Sequence, residues 1–214
     1  MATYDVSEGA PGWRSLYPLF IGIINPRPIA LVSSLSPDGV LNVAPFSFYN
    51  MVCARPPVVM FAPGFRRDGR PKDTLANVRA SGEFCIATVT DEIVQRCVDC
   101  AADLPPDQSE FEFSGLTPMP ARHVRPPLVR ESPVNLECRV REIVTIGDGP
   151  GGGSVVFGDI VAAHIDDRLL DEHGVVDPHR LRTVGRLGGK WYCTVTEPYE
   201  LAIPAYPRSE PRVK

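Results

Sequence analysis

Prolines set in close pairs constrain this chain more than any other feature. They stand at Pro26/Pro28, Pro56/Pro57, Pro105/Pro106, Pro118/Pro120 and Pro126/Pro127, among 23 prolines in 214 residues. Proline fixes φ and has no amide hydrogen to give to a ladder or a helix interior. Each pair therefore starts or ends a regular element, and strand interiors must fall between pairs. Apolar stretches of strand length separate the pairs, so the pattern punctuates strands and does not mark a disordered tract.

Along the chain, residues 29–34 (Ile-Ala-Leu-Val-Ser-Ser) read as a buried strand. Ser36-Pro37-Asp38-Gly39 reads as a turn, with proline presetting φ and glycine free to take φ > 0. The return, 40–50, is interrupted at Pro45, which implies a bulge or a sheet edge. A third strand occupies 57–61. A polar, basic loop over 64–72 precedes a helix capped by Asp73 or Thr74 and ended by Ser81-Gly82. Residues 83–89 form a fourth strand. Thr90-Asp91-Glu92 opens a second helix with an apolar stripe at Ile93, Val94, Cys97, Val98 and Ala101. Residues 103–130 read mostly as loop. Two long strands, 134–146 and 155–165, flank a glycine-rich tip over 147–153, and a polar stretch with a short turn follows over 166–182. Residues 191–195 read as a last strand. Six or more strands against two helices, with no sustained βαβ alternation, predict a mainly β (α+β) antiparallel barrel with peripheral helices. The expected layout is an N-terminal arm over 1–14, one domain over 15–203 and a tail over 204–214.

Charge and hydropathy narrow the functional classes. A net charge of −4 and a pI of about 5.6 leave no basic field for nonspecific nucleic-acid binding. No apolar run approaches the roughly 20 residues of a membrane helix, and no cationic segment leads into an apolar one at the N-terminus. A soluble, cytoplasmic protein is expected. In that reducing setting the six cysteines read as small core hydrophobes and not as disulfides.

Three segments carry possible binding chemistry. Residues 42–50 (Asn-Val-Ala-Pro-Phe-Ser-Phe-Tyr-Asn) offer small residues, hydroxyls and amides in an apolar frame. A flat heteroaromatic ring needs that mixture, although a bulged strand would show it too. Lys72-Asp73-Thr74 opens a helix after the loop bearing Arg66, Arg67 and Arg70, and a helix start favours an anion. Arg27, held between Pro26 and Pro28, projects from a rigid base and could meet a phosphate or carboxylate. The Cys97-Val98-Asp99-Cys100 motif lacks a second ligand pair and falls on the apolar helix stripe, so it reads as core. The four histidines show no metal-binding spacing, and no metal is expected.

Taken in order, these segments resemble the flavin reductase-like family. The matching pieces are 25–34 (Asn-Pro-Arg-Pro-Ile-Ala-Leu-Val-Ser-Ser), 39–50, Pro56-Pro57, 72–77 (Lys-Asp-Thr-Leu-Ala-Asn), Gly82-Glu83-Phe84, Glu110-Phe111, 115–118, 131–134, 136–138 and Arg186-Leu187-Gly188-Gly189. The resemblance covers most of 15–203. It implies an FMN-binding split β-barrel that works as a homodimer, with the flavin near the subunit interface. It implies that Ala44, Pro45, Ser47, Phe48, Tyr49 and Asn50 line the isoalloxazine, and that Lys72 and Thr74 hold the phosphate. Arg27, Ser33 and Asn77 are further cofactor candidates. Arg186, Gly188, Gly189 and Tyr192 are similar to the part bordering the nicotinamide or substrate side. The loop over 64–70 departs from the family's short serine-containing version by being longer and more basic. The implied activity is NAD(P)H-dependent reduction of FMN with onward electron transfer, to free flavin, an acceptor protein or a monooxygenase component. The alternative is a flavoredoxin-like carrier with tightly bound FMN and a protein donor. No catalytic acid or base is expected, because the flavin carries the hydride chemistry.

Overall fold

The computed structural model describes residues 1–6, 12–147 and 149–204. The expected tail from 205 onward, part of the expected arm (7–11) and Asp148 of the glycine-rich tip lie outside the described residues. The elements run α1 (Trp13–Ile23), β1 (Arg27–Pro28), β2 (Ala30–Leu35), β3 (Leu41–Phe46), β4 (Tyr49–Ala54), β5 (Pro57–Phe61) and α2 (Asp73–Ser81). They continue with β6 (Glu83–Thr88), α3 (Val94–Asp99), α4 (Glu110–Ser114), β7 (Pro118–Met119), β8 (Leu128–Val129), β9 (Val134–Ile146), β10 (Gly153–Ile165), a 3-10 turn (Asp167–Leu169), β11 (Val184–Arg186) and β12 (Tyr192–Thr194).

Seven strands form one antiparallel sheet in the order β3-β2-β6-β9-β10-β5-β4. Its two edge strands, β3 and β4, are consecutive in the chain and separated only by Ser47 and Phe48. A sheet whose opposite edges are two residues apart has curled into a barrel. The seam between those edges carries no ladder, and the architecture is a split β-barrel.

The seam also explains Pro45. β3 runs through Pro45 to Phe46 and breaks at Ser47–Phe48, two residues later than expected. An edge strand tolerates a residue without an amide hydrogen. Strand β2 is buried on both faces because it lies between two cores. Ala30 and Val32 point into the barrel with Phe46, Phe61, Phe84 and Val156, and Leu75 and Val78 of α2 close that core. Ile29 and Leu31 face an outer layer with Cys97 and Cys100 of the α3 region and Phe111 of α4.

Several local expectations change. The cap of α2 is Lys72, not Asp73 or Thr74, and no side chain caps the helix. Asp73 is instead drawn to Arg66 at 2.5 Å, and Thr74 is buried. The second helix is shorter than the stripe suggested: Val98 and Ala101 are exposed, and Ile93, Cys97 and Cys100 form the buried line. Helix α4 lies within the expected loop. Helix α1 begins inside the expected arm; Pro18 within it and the exposed Tyr17, Phe20 and Ile23 mask any clean amphipathic signal.

One buried carboxylate organises the loop that crosses the barrel wall. Glu137 on β9 is fully buried and accepts the N–H groups of Arg122 (2.9 Å), His123 (2.5 Å) and Val124 (3.2 Å). His164 Nε2 lies 2.7 Å from Oε1, the oxygen that also accepts the Arg122 N–H. Burial alone would raise its pKa, but the amide donors and His164 outweigh burial and hold it below the usual carboxylate range. A depressed folded-state pKa gives stability that is present above the unfolded value of roughly 4.3 and lost as pH falls through the folded value. Glu137→Gln is therefore expected to lower stability at pH 7 and to flatten the acid limb of a pH–stability curve followed by circular dichroism. An unchanged acid limb would contradict this.

Candidate functional site

A cleft of about 690 Å³ opens beside the seam, between β3 and the start of α2. Ala44 and Pro45 on β3 supply a small-residue wall, and Asn42 donates to Thr74 Oγ1 at 3.2 Å, tying the strand to the helix start. Lys72 stands at the helix start with its ammonium 5.8 Å from the Phe46 ring centroid. Surrounding protein, followed by the charge of Arg66, lowers the Lys72 pKa. Among the described residues no carboxylate pairs with Lys72. A helix start without a side-chain cap, an ammonium unpaired among the described residues and a hydroxyl thus line one cleft, and together they are the donor set an anion such as a phosphate requires.

The basic loop is an ordered hairpin forming another wall. Phe65 bridges Pro71, Arg66 N–H donates to the Arg70 carbonyl at 2.8 Å, and Gly69 takes φ 81° at the turn. Arg66 is held by Asp73 and by Asp103 at 2.6 Å, and Arg70 by Asp68 at 2.8 Å. Across the cleft lies Glu110, 7 % exposed, whose carboxylate accepts the outward-facing Val43 N–H at 3.2 Å. Burial pushes its pKa up. Sequence reasoning did not assign Glu110 to the site. Its signal was a carboxylate opening a short helix, which reads as an ordinary helix start until β3 is seen beside it.

The remaining candidates separate into four groups. Ser47, Phe48, Tyr49 and Asn50 lie at the crossing from β3 to β4; Phe48 and Asn50 are exposed, whereas Tyr49 packs on the barrel core, where burial raises its pKa to about 12. Ser33 and Asn77 are buried away from the cleft: Ser33 donates to the Pro127 carbonyl and Asn77 to Ser34 Oγ at 3.2 Å. Arg27 does not line the cleft either. Its guanidinium donates to the carbonyls of Ile21 and Ile24 at 2.6 Å each, and to the Leu187 carbonyl at 3.0 Å. It thereby satisfies carbonyls at the end of α1 that no helix turn can bond. A longer contact, 3.4 Å, reaches Ser47 Oγ.

Arg27 also connects the crossing to the fourth candidate segment. β1 pairs with β11, and β11 with β12. There Arg186 stacks over Tyr192 at 4.4 Å, donates to its hydroxyl and donates to the Gly189 carbonyl at 2.5 Å. A Cβ on Gly188 would lie 3.0 Å from Gly22 Cα, so a glycine there lets α1 approach the hairpin. Apart from Ser33 and Asn77, the candidates therefore follow one path: cleft, β3, the Ser47 crossing, then the β11–β12 hairpin.

Cys97 and Cys100 are both 2 % exposed and unbonded. Burial raises their pKa values to about 12 and about 11, away from thiolate chemistry. Among the described residues no cluster of side chains could hold a metal, and no helix is long and apolar enough to cross a membrane.

A family model described as the flavin reductase like domain matches residues 24–185. The chain belongs to that family. A protein of Aquifex aeolicus (strain VF5) is 39 % identical over 178 residues, 83 % of this chain and 89 % of its own. Nitrilotriacetate monooxygenase component B from Bacillus cereus superposes with a TM-score of 0.87 at 31 % identity, over 94 % of this chain and 100 % of its own. The 2-nitrobenzoate 2-nitroreductase NbaA from Pseudomonas fluorescens superposes with a TM-score of 0.83 at 33 % identity, over 97 % of this chain and 99 % of its own. Membership of the flavin reductase-like family supports a flavin as the ligand class of the chain, and the donors at Lys72 and Thr74 are of a kind that fits a phosphate.

Proposed function

We propose that this chain is a cytoplasmic, FMN-dependent NAD(P)H:flavin oxidoreductase. The observation that carries the reading is that the α2 start, which has no side-chain cap, Lys72, unpaired among the described residues, and Thr74 all line a cleft bounded by β3. Lys72 and Thr74 hold the phosphate; Ala44, Pro45 and the Ser47–Asn50 crossing border the ring; Arg186, Gly188, Gly189 and Tyr192 border the incoming nicotinamide. Bound there, FMN would supply the two-electron chemistry, and the chain's own residues bind, orient and exclude water. The likeness to component B of a monooxygenase supports delivery of reduced flavin to a partner enzyme.

Anaerobic mixing of the flavin-loaded protein with NADH, and separately with NADPH, tests the reading. Loss of flavin absorbance with either donor is the expected result. Persistence of the oxidised spectrum with both would point instead to a carrier reduced by a protein partner.

The working unit in this reading is a homodimer. Phe48, Met51 and Val52 are exposed at 46 %, 54 % and 49 % along the open edge, with Tyr17, Phe20 and Ile23 exposed on α1. Exposed edges and apolar patches are normally covered, and a two-fold interface would cover the patch twice and create two equivalent sites. Light scattering with flavin quantitation is expected to give twice 23.4 kDa and one FMN per chain. A monomer with stoichiometric FMN would refute the dimer and leave the FMN assignment standing.

A further inference from the structure

Four acidic side chains line the cleft, and three of them are paired with arginine. Asp73 and Asp103 both hold Arg66, at 2.5 and 2.6 Å, and Asp68 holds Arg70 at 2.8 Å. Glu110 is the exception. Among the described residues no arginine or lysine pairs with it, and its carboxylate accepts main-chain N–H groups alone, those of Val43 at 3.2 Å and of Glu110 itself. It is also 7 % exposed, so its charge is poorly screened.

A charge placed in this way becomes costlier when another anion arrives. With Glu110 ionised, the four acidic side chains balance the four cationic ones in the lining. A phosphate dianion adds two negative charges. Like charges sharing a buried site raise one another's pKa, and the group with the weakest compensation takes the proton. The surroundings single out Glu110. β3, on which α4 packs, carries no titratable side chain. Burial is the main cause that raises the Glu110 pKa; of the charges facing it, Asp73 on α2 raises it further and Arg66 on the hairpin lowers it. Lys72, at the α2 start, is a cation whose own pKa burial lowers. From the α3 side come the Cys100 thiol, which burial pushes up to about 11 and so keeps neutral, and Asp99, whose charge also acts on that thiol. Arg96 of α3 is turned to Glu131. Protonation of Glu110 would not loosen the strand: a neutral carboxyl keeps an acceptor oxygen for the Val43 N–H and gains an O–H donor.

We propose that Glu110 is a proton-accepting residue of the cleft: a phosphate anion enters together with one proton, which leaves a buffer acid and forms an O–H bond on the Glu110 carboxylate. Anion affinity is then coupled to proton uptake, and pH sets how tightly the cleft holds its ligand. This rests on the phosphate reading above, with FMN as the ligand; ribose 5-phosphate, a phosphate monoester without the flavin ring, is a second probe that does not depend on the flavin.

Calorimetric titration with FMN, riboflavin and ribose 5-phosphate, in two buffers of different ionisation enthalpy, counts the protons taken up. At about pH 8 a phosphate monoester, with a second pKa near 6, is already a dianion and contributes little of its own. FMN and ribose 5-phosphate are expected to bind with net uptake of up to one proton, and riboflavin with none. FMN affinity should fall with rising pH by up to about tenfold per pH unit, the limit for one coupled proton. Glu110→Gln keeps an acceptor for the Val43 N–H but takes no proton; it should abolish the uptake, flatten the pH profile and bind FMN more tightly than the wild type. Lys72→Arg, a cation that does not titrate, should keep the uptake, and it decides between the two groups if Glu110→Gln does not fold. Absence of uptake in the wild type overturns the assignment. Uptake that persists in Glu110→Gln, or is lost in Lys72→Arg, overturns it too, by moving the proton to Lys72 or the ligand. Uptake with ribose 5-phosphate in a protein that does not bind FMN would leave Glu110 standing and bring down the flavin reading; FMN binding without uptake does the reverse, and binding of neither overturns both.

Discussion

Replacing Phe84 with alanine is expected to destabilise the fold by about 3–5 kcal/mol, the range for deleting a buried aromatic side chain. Phe84 on β6 is fully buried at the centre of the barrel, edge-on to Phe61 with centroids 5.2 Å apart, and Phe61 in turn meets Phe46 at 5.3 Å. Its ring lies over Gly158 on β10: a Cβ built there would sit 2.3 Å from Phe84 Cζ. Nothing can relax into the cavity from that side, because the opposing residue has no side chain. Gly158→Ala alone should also destabilise, by about 1–3 kcal/mol as an overpacking change. In the Phe84→Ala background the same glycine substitution should cost little, since its methyl enters space the ring has left. Urea unfolding of all four proteins at one fixed flavin concentration measures the cycle. Additive losses would show that the ring and the glycine do not oppose each other.

Lys72→Ala is expected to weaken FMN binding by about 1.5–3 kcal/mol, roughly 10- to 150-fold, as loss of one hydrogen bond to a charged group. Riboflavin, which lacks the phosphate, should bind the variant and the wild type alike. The specificity comes from placement. Lys72 occupies the N-cap position of α2, so its side chain is anchored at the positive end of the helix, and among the described residues no carboxylate pairs with it. Fluorescence titration of both ligands against both proteins makes the comparison. An equal loss for riboflavin would assign Lys72 to general packing of the site and remove the phosphate from that position.

Much of the strand pattern was legible because local rules and tertiary context agree. The turn at Ser36–Gly39, the buried strand before it and the long β9–β10 pair follow from proline, glycine and apolar runs, whose effects act within a few residues. The Lys72-Asp73-Thr74 start was legible for the same reason, since a helix after a basic loop is a local signal. The strand count and pattern pointed to an antiparallel barrel, and the ordered set of short motifs added the family, the split form of the barrel and the flavin, none of which periodicity alone could supply.

Long-range placement is what the sequence left open. Pro45 implied a bulge or a sheet edge, and only the placement of β3 at the barrel seam decides for the edge. Asp73 and Thr74 looked like caps until Arg66 and Asn42, seven and 32 positions away, engaged them. Arg27 read as able to meet a phosphate or a carboxylate because an arginine's partner cannot be read from its neighbours; three carbonyls, one of them 160 positions distant, hold it. Glu110 gained its place in the cleft only when α4 packed against β3. By itself the sequence determined the local units of this protein and the chemistry they carry. Tertiary structure alone decided which polar groups meet, because hydrogen bonds and ion pairs act over a few ångströms in space and are indifferent to separation along the chain.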